Sequence, residues 1–301
     1  MILITGTTGF VGRNLKKYLI EHEEKVTDLY LRNSNWEEDI LKSGKSLIHL
    51  VGKAHDTLNT TGEEEYFKIN RDLTIKVFET FLRSDIRDFF FLSSIKAVAD
   101  SYNGIIDETA QPNPLSSYGR SKLSAENYLL QQSLPNGKRL FIIRPCMIHG
   151  PGNKGNLNLL YNVVKYGMPW PLASFENKRS FLSIDNLSFL MLEIIKNESI
   201  PSGIYNVCDD EPLSTNRVVT VIAESLGRKS RFWHVPKWTA QKIAKLGDLL
   251  PLPINSERLK KLTESFEVSN QKIKDVLNIE KLPLSATVGL KKTIKSFNHD
   301  I

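Results

Sequence analysis

The segment Tyr118-Gly-Arg-Ser-Lys122 carries a phenol and an ammonium group four residues apart. On a helix these two side chains share one face and can meet at a single bound molecule. A cation beside a phenol favours the phenolate and lowers the pKa of the tyrosine, which suits it to proton transfer near neutral pH. The upstream Ser93-Ser94 pair offers a hydroxyl for the oxygen that gains or loses the proton. Together these groups predict the interconversion of an alcohol and a ketone beside a hydride carrier.

A second segment, Tyr161-Asn-Val-Val-Lys165, repeats the same spacing. It has no upstream serine pair and follows a loop of proline and glycine, whereas Tyr118 stands between two apolar strand candidates. The spacing alone does not distinguish the two segments, but the residues around them do. We interpret Tyr161 as a half-buried aromatic beside a solvated lysine, and Tyr118 as the chemical group.

The elements that must position these groups alternate between short apolar runs and helical patterns over the first two thirds of the chain. This alternation predicts stacked βαβ units, and thus a Rossmann-type α/β fold with a doubly wound parallel sheet. The strand candidates are Met1–Thr5, Val26–Leu31, Leu47–Val51, Asp88–Leu92, Leu140–Arg144 and Gly203–Val207. The helix candidates are Val11–Glu21, Glu65–Arg83, Tyr118–Gln132 and Ile184–Lys196. The segment from Arg32 to Lys45 leaves room only for a brief extra strand or none.

The pattern changes after Arg144, where loops and helices replace the run of strands. We predict that residues 1–150 and about 181–208 form a dinucleotide-binding domain. Residues from about 151–180 and 209–301 then form a smaller substrate-binding region. That region would cover a cleft at the carboxyl ends of the strands, where open α/β sheets bind their ligands.

Three glycines in Gly6-Thr-Thr-Gly9-Phe-Val-Gly12 separate the first strand from the first helix. Glycines at this place permit a tight turn, close approach of the backbone to a pyrophosphate, and close packing of helix on strand. The helix N-terminus then offers free N–H groups and the positive end of its dipole to the phosphates. The sequence therefore predicts a dinucleotide site.

The second strand bears on which dinucleotide binds. Sites for NAD usually close this strand with a carboxylate that hydrogen-bonds the adenosine ribose. Here the strand runs into Arg32, which suits a 2′-phosphate, while Asp28 lies earlier and by alternation faces elsewhere. We predict NADP(H) in preference to NAD and keep both open.

The amino-acid composition argues against several classes of protein and binding site. The 301 residues include two cysteines and six scattered histidines, so we expect neither a disulfide framework nor a metal site. No apolar run approaches the roughly 20 residues that span a bilayer, and the chain opens directly on a strand, so we expect a cytoplasmic protein. The net charge is +6, and from Arg228 onward there are 15 Lys and Arg against 7 Asp and Glu. These cations are not interleaved with aromatic or glycine repeats, so nucleic acid is not an expected partner.

Further motifs extend along nearly the whole chain: Ile48-His-Leu-Val-Gly52, the helix around Asn70, Leu92-Ser-Ser94, Arg144-Pro, His149-Gly-Pro151, Lys178-Arg-Ser-Phe, Asp185-Asn186 and Tyr205-Asn-Val. With these motifs the chain resembles the extended short-chain dehydrogenase/reductases, the NAD(P)-dependent epimerase/dehydratase family. The resemblance implies Ser94, Tyr118 and Lys122 as the catalytic residues, with Ser93 against the cofactor. It implies the cofactor contacts Gly6, Thr8, Gly9, Phe10, Val11, Arg32, Leu50, Val51, Gly52, Asn70, Ser93, Tyr118, Lys122 and Pro145.

The resemblance also implies a nucleotide-linked sugar as substrate, and a homodimer through the helices that follow Glu65 and Tyr118. Departures from the family pattern narrow the reaction. Dehydratases of the family follow the catalytic hydroxyl with Asp-Glu, where this chain has Ile95 and Lys96. Dehydratase activity is therefore not expected. Many members also carry an asparagine where this chain has Met147.

Three stretches, Ser-Ser-Ile-Lys, Gly-Pro-Gly-Asn-Lys-Gly-Asn and Lys-Arg-Ser-Phe-Leu-Ser-Ile-Asp-Asn-Leu, resemble one branch of that family. This branch reduces the 4-keto group of UDP-4-keto-6-deoxy-N-acetylhexosamines for surface polysaccharides. The candidate contacts to a UDP-linked sugar are Lys96, Lys154, Asn156 and Arg179. Two alternatives stay open: a UDP-glucose or UDP-N-acetylglucosamine 4-epimerase with bound NAD, and a catalytically silent dinucleotide-binding sensor. The sensor is disfavoured because Ser94, Tyr118 and Lys122 are all present.

One stretch of the basic C-terminal region, Trp238 to Leu250, has the pattern of a basic amphipathic helix. Such a helix can lie on a membrane surface. The alternative is a helix packed against the C-terminal region, and we favour that interpretation. Insertion into a membrane is not expected, while peripheral contact stays open.

Overall fold

The computed structural model describes residues 1–42, 44–53, 62–153, 156–250 and 255–297, with only the backbone of Asn156. The strands are β1 Ile2–Thr5, β2 Val26–Leu29, β3 Ser46–His49, β4 Asp88–Leu92, β5 Ile105–Ile106, β6 Arg139–Pro145, β7 Met147–His149, β8 Phe181–Ser183, β9 Gly203–Val207 and β10 Glu267–Val268. The helices are α1 Phe10–Glu21, α2 Trp36–Lys42, α3 Glu63–Phe67, α4 Leu73–Arg83, α5 Ser117–Gln131, α6 Asn156–Lys165, α7 Ile184–Lys196, α8 Thr215–Ser225, α9 Lys237–Gly247, α10 Ser256–Thr263, α11 Gln271–Leu277 and α12 Ala286–Ser296.

A six-stranded parallel sheet in the order β2-β1-β3-β4-β6-β9 forms the centre of the molecule. The order steps outward from β1 in both directions, which is the doubly wound arrangement predicted from the alternating pattern. In register, Thr5 of β1 lies opposite Leu29 of β2 and His49 of β3. The carboxyl ends of these strands therefore meet at one edge of the sheet.

Successive strand residues alternate between two apolar clusters, one on each face of the sheet. Ile2 and Ile4 belong to the first cluster, which α1 and α7 cover, and Leu3 belongs to the second, which α4 and α5 cover. Phe90 and Phe89 divide in the same way. Both faces are thus buried, which explains why these strands read as continuous apolar runs.

Two helical regions differ in detail from the sequence expectation. The predicted helix Glu65–Arg83 is helical throughout but contains a π-helical turn at Lys68–Asp72, the π segment, between α3 and α4. The segment between Arg32 and Lys45 forms α2 where a brief strand was conceivable. In a π turn the hydrogen bonds reach one residue further along the chain than in an α turn.

The later part of the chain builds a third apolar cluster from α6, α8, α9, α10 and α12. Two short parallel pairs, β7-β8 and β5-β10, tie this part to the central sheet. The domain boundaries given above stay a prediction. Among the described residues, no helix has the length and apolar character needed to cross a membrane.

Candidate active site

The glycine turn between β1 and α1 leaves no space for side chains at its tightest point. Gly6 has a φ of +72°, and the Gly9 amide donates to its carbonyl over 3.0 Å. A Cβ at Gly12 would lie 2.2 Å from the Gly6 carbonyl oxygen. The turn therefore forms an open backbone cradle at the start of α1, and it fits the pyrophosphate of a dinucleotide.

A buried polar chain fixes the loop that follows β3. The ring nitrogens of His49 bond the hydroxyls of Thr5 and Thr74 over 3.0 and 3.1 Å. Burial, with the nearby Lys122 charge, lowers the pKa of His49 to about 3, so the ring is neutral. The Thr5 hydroxyl also accepts the Leu50 amide over 3.0 Å. This holds the 50–52 loop beside the glycine turn.

Asn70 in the π segment joins that loop to α5. Its side-chain oxygen accepts the Lys53 amide over 2.7 Å, and its Nδ2 donates to the Ser121 hydroxyl over 3.0 Å. A Cβ at Gly52 would lie 3.0 Å from the Lys122 ammonium nitrogen and 3.1 Å from the Asn70 side-chain oxygen. The sequence-predicted residues Gly52, Asn70 and Lys122 thus come together at the edge of the sheet.

Tyr118 lies in the first turn of α5, which Ser116 caps through the Gly119 amide. Its ring is half-buried and meets the Tyr66 ring edge-on at 6.3 Å. Burial raises the pKa of Tyr118 above its ordinary value, while a hydrogen bond with the Ser94 side chain opposes this rise. The expected lowering of the Tyr118 pKa is therefore not found, because the effect of burial is the larger one.

Lys122 lies one helical turn further along α5 and is buried. Its ammonium group donates to the Leu92 carbonyl over 2.9 Å and lies 4.7 Å from the centroid of the Phe91 ring. Burial lowers the pKa of Lys122 to about 8, against the opposing charge of Glu126. Strand β4, which ends just before Ser93-Ser94, therefore supplies the carbonyl that orients this lysine.

A buried ion pair joins β6 to α5 next to the site. It was not predicted from the sequence. Arg144 of β6 reaches Glu126 of α5 with contacts of 3.1 and 2.5 Å, and the Ser93 hydroxyl bonds the same carboxylate. All three side chains are almost fully buried. The available signal was the position of Glu126, four residues after Lys122 on the same helix face.

A cleft of ≈ 420 Å³ opens beside Tyr118, between the sheet edge and α10. The sequence-predicted Lys96 and Arg179 line it, together with Lys260, Lys261 and Phe266, which the sequence interpretation did not single out. The basic C-terminal composition was the only signal for the two added lysines. Three carboxylates also line the cleft, and each pairs with one of its lysines: Asp100 with Lys96, Glu257 with Lys261, and Glu264 with Lys260. The four cations of the lining therefore exceed its carboxylates by one.

Contacts with neighbouring residues fix the positions of Lys96 and Arg179 in this cleft. The Lys96 ammonium group donates to the Asp100 carbonyl over 2.9 Å and lies 5.0 Å from the centroid of the Phe266 ring. The Arg179 guanidinium donates to the Lys261 carbonyl over 2.9 Å. Burial lowers the pKa of both Lys96 and Arg179, and their mutual proximity lowers that of Lys96 further. Both groups are pre-positioned beside Tyr118.

At the end of β2, Asp28 is already engaged. Lys16 and the Tyr30 hydroxyl donate to one oxygen of Asp28 over 2.8 and 3.0 Å. Arg32 lies just past the strand, is exposed, and pairs with no carboxylate among the described residues. The other oxygen of Asp28, Oδ1, is buried. The exposed charged group at the end of this strand is therefore the Arg32 guanidinium.

The remaining predicted residues divide into three groups. Thr8 is exposed in the glycine turn, while Phe10 and Val11 begin α1 and are half-buried. Pro145 ends β6 opposite Val207. Lys154 and the side chain of Asn156 lie outside the described residues. Within the described part of the chain no group of three His, Cys, Asp or Glu is placed to hold a metal ion.

Comparison with known proteins gives consistent findings. A family model described as the NAD dependent epimerase/dehydratase family matches residues 2–208. A Vibrio cholerae protein named UDP-glucose 4-epimerase is 28% identical over 318 residues, covering 98% of this chain and 95% of that protein.

Two solved structures show the fold. MoeE5 in complex with UDP-glucuronic acid and NAD superposes with a TM-score of 0.79 at 20% identity, over 100% of this chain and 99% of that one. RMD from Pseudomonas aeruginosa complexed with NADPH has a TM-score of 0.76 at 17% identity, over 100% and 99%. Both likenesses agree with the parallel sheet described above.

Proposed function

The chain belongs to the NAD dependent epimerase/dehydratase family, and on that premise we propose that it reduces a 4-keto nucleotide sugar with NADPH. The substrate class is a UDP-4-keto-6-deoxy-N-acetylhexosamine, made for surface polysaccharides. The coarser statement, an NAD(P)-dependent enzyme of nucleotide sugars, follows from the family and its relatives. The reaction and the choice of cofactor are the proposal.

The main support for this proposal comes from the charged residues in strand β2 and just after it. Lys16 pairs with one oxygen of Asp28 and the Tyr30 hydroxyl donates to the same oxygen, while the other oxygen is buried. The ion pair and the burial both oppose contact between this carboxylate and an adenosine ribose. The exposed Arg32 guanidinium suits the planar oxygens of a 2′-phosphate. A preference for NADPH favours net reduction, because an epimerase restores its own NAD in each turnover.

The cleft beside Tyr118 supports a diphosphate-linked substrate. Its four cations, Lys96, Arg179, Lys260 and Lys261, exceed its carboxylates by one, and each lysine is paired with one of those carboxylates. The half-buried Arg179 guanidinium is held by the Lys261 carbonyl, and its planar fork suits the oxygens of a phosphate. A nucleotide diphosphate bound there would extend its sugar toward Tyr118.

The side chains of the site define the proton transfer in this reaction. Bound NADPH would supply a hydride to C4 of the ketone. Tyr118 then donates its hydroxyl proton to the ketone oxygen, and the Ser94 hydroxyl holds that oxygen. The raised pKa of Tyr118 keeps the phenol protonated before the reaction, which suits an acid. The Lys122 cation stabilises the phenolate that remains.

Water elimination lacks a carboxylate in the required place. Ile95 is buried, and Lys96 follows it. Asp100 also lines the cleft, but the Leu115 and Ser116 amides and the Ser116 hydroxyl all donate to it. These bonds lower the pKa of Asp100 and occupy both of its oxygens. The site therefore favours reduction over dehydration.

A second candidate is the 4-epimerisation of a UDP-hexose with bound NAD. It is favoured by the Vibrio cholerae protein named UDP-glucose 4-epimerase, which matches this chain over nearly its whole length. Epimerisation and reduction use the same tyrosine, serine and lysine, so the cofactor and the substrate must decide between them.

Two measurements on the purified protein test the proposal. Mass spectrometry of the released nucleotides should find little bound NAD, and added UDP-4-keto-6-deoxy-N-acetylglucosamine should consume NADPH. Tightly retained NAD with interconversion of UDP-glucose and UDP-galactose would instead establish the epimerase. The absence of hydride exchange with every nucleotide sugar tested would contradict both activities and favour a dinucleotide-binding sensor.

A further inference from the structure

Helix α9 leaves a row of large apolar side chains exposed. Only Ala240 and Ala244 of this helix are buried. Trp238 and Leu246 are 61% and 54% exposed, and Leu249, two residues past the end of the helix, is 83% exposed. The expectation that this stretch packs against the C-terminal region is therefore correct for the two alanines alone, and the bulky side chains face outward.

The exposed side of α9 combines apolar and cationic groups in one strip, which we call the α9 face. Its members are Trp238, Lys242, Ile243, Lys245 and Leu246 of α9, with Leu249 and Leu250 just after the helix. Trp238, Lys242 and Leu246 follow each other at intervals of four residues and so lie one above the other. The Lys242 ammonium nitrogen lies 5.1 Å from the centroid of the Trp238 ring. The opposite side carries the alanines that pack inward.

The chain segment that contains the α9 face carries almost entirely positive charges. Six lysines and arginines fall between residues 228 and 250, against one carboxylate, Asp248. That carboxylate accepts the amide and the hydroxyl of Ser256 over 2.9 and 2.6 Å, which turns it toward α10. Trp233 is also 61% exposed and lies three residues before Pro236, the N-cap of α9.

This combination identifies the kind of surface that fits. The cores of protein–protein interfaces are depleted in lysine, because each buried ammonium group must be desolvated. At a bilayer surface tryptophan lies at the level of the headgroups, leucine reaches the acyl boundary, and lysine extends back to the phosphates. From these contacts and charges we propose that the α9 face docks on an anionic phospholipid bilayer.

The docking is peripheral and lies close to the cleft. A face of this kind binds in the plane of the interface without crossing the bilayer. Helix α9 packs against α10, and α10 supplies Lys260 and Lys261 to the cleft beside Tyr118. A docked molecule would therefore hold its cleft one helix away from the membrane surface. This inference does not depend on which nucleotide sugar is the substrate.

Vesicle flotation of the full chain tests the proposal. Vesicles of phosphatidylglycerol and phosphatidylcholine should carry the protein upward, and vesicles of phosphatidylcholine alone should carry far less. Raising the salt concentration should release the protein, because salt screens the lysine–phosphate attraction. Replacing Lys242 and Lys245 by Gln should weaken binding roughly thirtyfold, at about 1 kcal/mol per cation near an anionic surface.

Matched variants distinguish binding through the α9 face from nonspecific adsorption of the protein to vesicles. Trp238→Ser with Leu249→Ser should lower binding at least about tenfold, since each removes an apolar side chain from the acyl boundary. Ile20→Ser with Ile105→Ser removes two exposed apolar residues elsewhere, and Lys17→Gln with Lys76→Gln removes two exposed cations. These controls should bind as the wild type does. Circular dichroism and NADPH binding confirm that each variant is folded.

Three outcomes would overturn the proposal. The wild type could stay in solution with the anionic vesicles, or float equally well on neutral ones. The control variants could also lose as much binding as the α9 variants. If light scattering found a dimer that only the Trp238→Ser, Leu249→Ser variant breaks, and vesicles were not bound, the face would be an interface between two copies.

Discussion

Two segments of this molecule carry a tyrosine four residues before a lysine, and they occupy opposite environments. Tyr118 and Lys122 lie in α5 at the carboxyl edge of the sheet, beside a cleft lined by charged side chains. Tyr161 and Lys165 lie in α6, where the tyrosine ring packs edge-on against Phe297 at 5.3 Å. The helical spacing brings the two side chains together in both cases.

The difference lies in what the neighbouring strands supply. Strand β4 ends at Leu92, whose carbonyl accepts from Lys122, and the Ser94 side chain two residues later hydrogen-bonds Tyr118. In α6 the lysine has its ammonium group 5.7 Å from the centroid of the Tyr161 ring. A shared helix face is thus a precondition for the chemistry, and the strand end determines whether the chemistry is present.

The largest expected effect compares the two tyrosines directly. Tyr118→Phe should lower the rate of hydride transfer by roughly 10²–10⁴-fold, because general acid–base assistance is lost. Tyr161→Phe keeps the buried ring and should leave the rate within about twofold of wild type. Steady-state assays with saturating NADPH check this. Equal losses in the two variants would show that Tyr118 is not the proton donor.

The next effect concerns the buried pair behind α5. Arg144→Met should cost on the order of 3–5 kcal/mol in the free energy of unfolding, because the Glu126 carboxylate is left buried without its partner. Urea unfolding measures this. The double variant Arg144→Met, Glu126→Gln should recover most of the loss. Lys165→Met in α6 removes a half-buried cation and should cost far less.

The Lys122 ammonium group should give the molecule a distinctive pH dependence. The unfolded chain keeps this lysine protonated up to its ordinary pKa of 10.5, while the folded chain releases the proton from about 8. Between these pH values the wild type should therefore gain up to about 1.4 kcal/mol of stability per pH unit.

Comparison with Lys122→Met, which lacks this ionisation, isolates the effect. The variant should be most favoured over the wild type below pH 8, and its advantage should shrink as the pH rises toward 10.5. Urea unfolding at several pH values between 7 and about 10 measures the trend. If Lys165→Met reproduced the same trend, the contrast between the two segments would break down.

The smallest expected effect concerns the preference for NADPH over NADH. Arg32→Ser should raise the KM for NADPH by about tenfold, the lower end for a lost charge-assisted hydrogen bond, and leave the KM for NADH nearly unchanged. Lys17→Ser, an exposed cation on α1, serves as the matched control. An unchanged preference for NADPH would remove Arg32 from the cofactor site.

Local patterns were sufficient to predict most of the sheet and the helices around it. The strand candidates Asp88–Leu92 and Gly203–Val207 and the helix candidate Ile184–Lys196 agree with the structure at both ends. Apolar runs and turn residues are short-range signals, so they can be read without knowing the fold. The glycine turn and Ser94 belong to the same class, since each lies at the end of a strand.

The features that escaped prediction depend on contacts between distant segments. Arg144 meets Glu126 across 18 positions of the chain, and the Lys261 carbonyl meets Arg179 across 82. Nothing in the local sequence of α10 indicates that its lysines face Tyr118. The exposure of Trp238 is likewise a property of the assembled surface, because an amphipathic pattern does not say which side is covered.

The π segment has a consequence for how the chain tolerates changes in length. Because its hydrogen bonds span one residue more than those of an α turn, the segment is equivalent to a single-residue insertion in an ordinary helix. Deleting one residue there would let α3 and α4 merge into a continuous α-helix that still covers the sheet. Asn70 would then rotate away from Lys53 and Ser121. A shorter chain could thus keep the architecture and lose the alignment of its reactive centre.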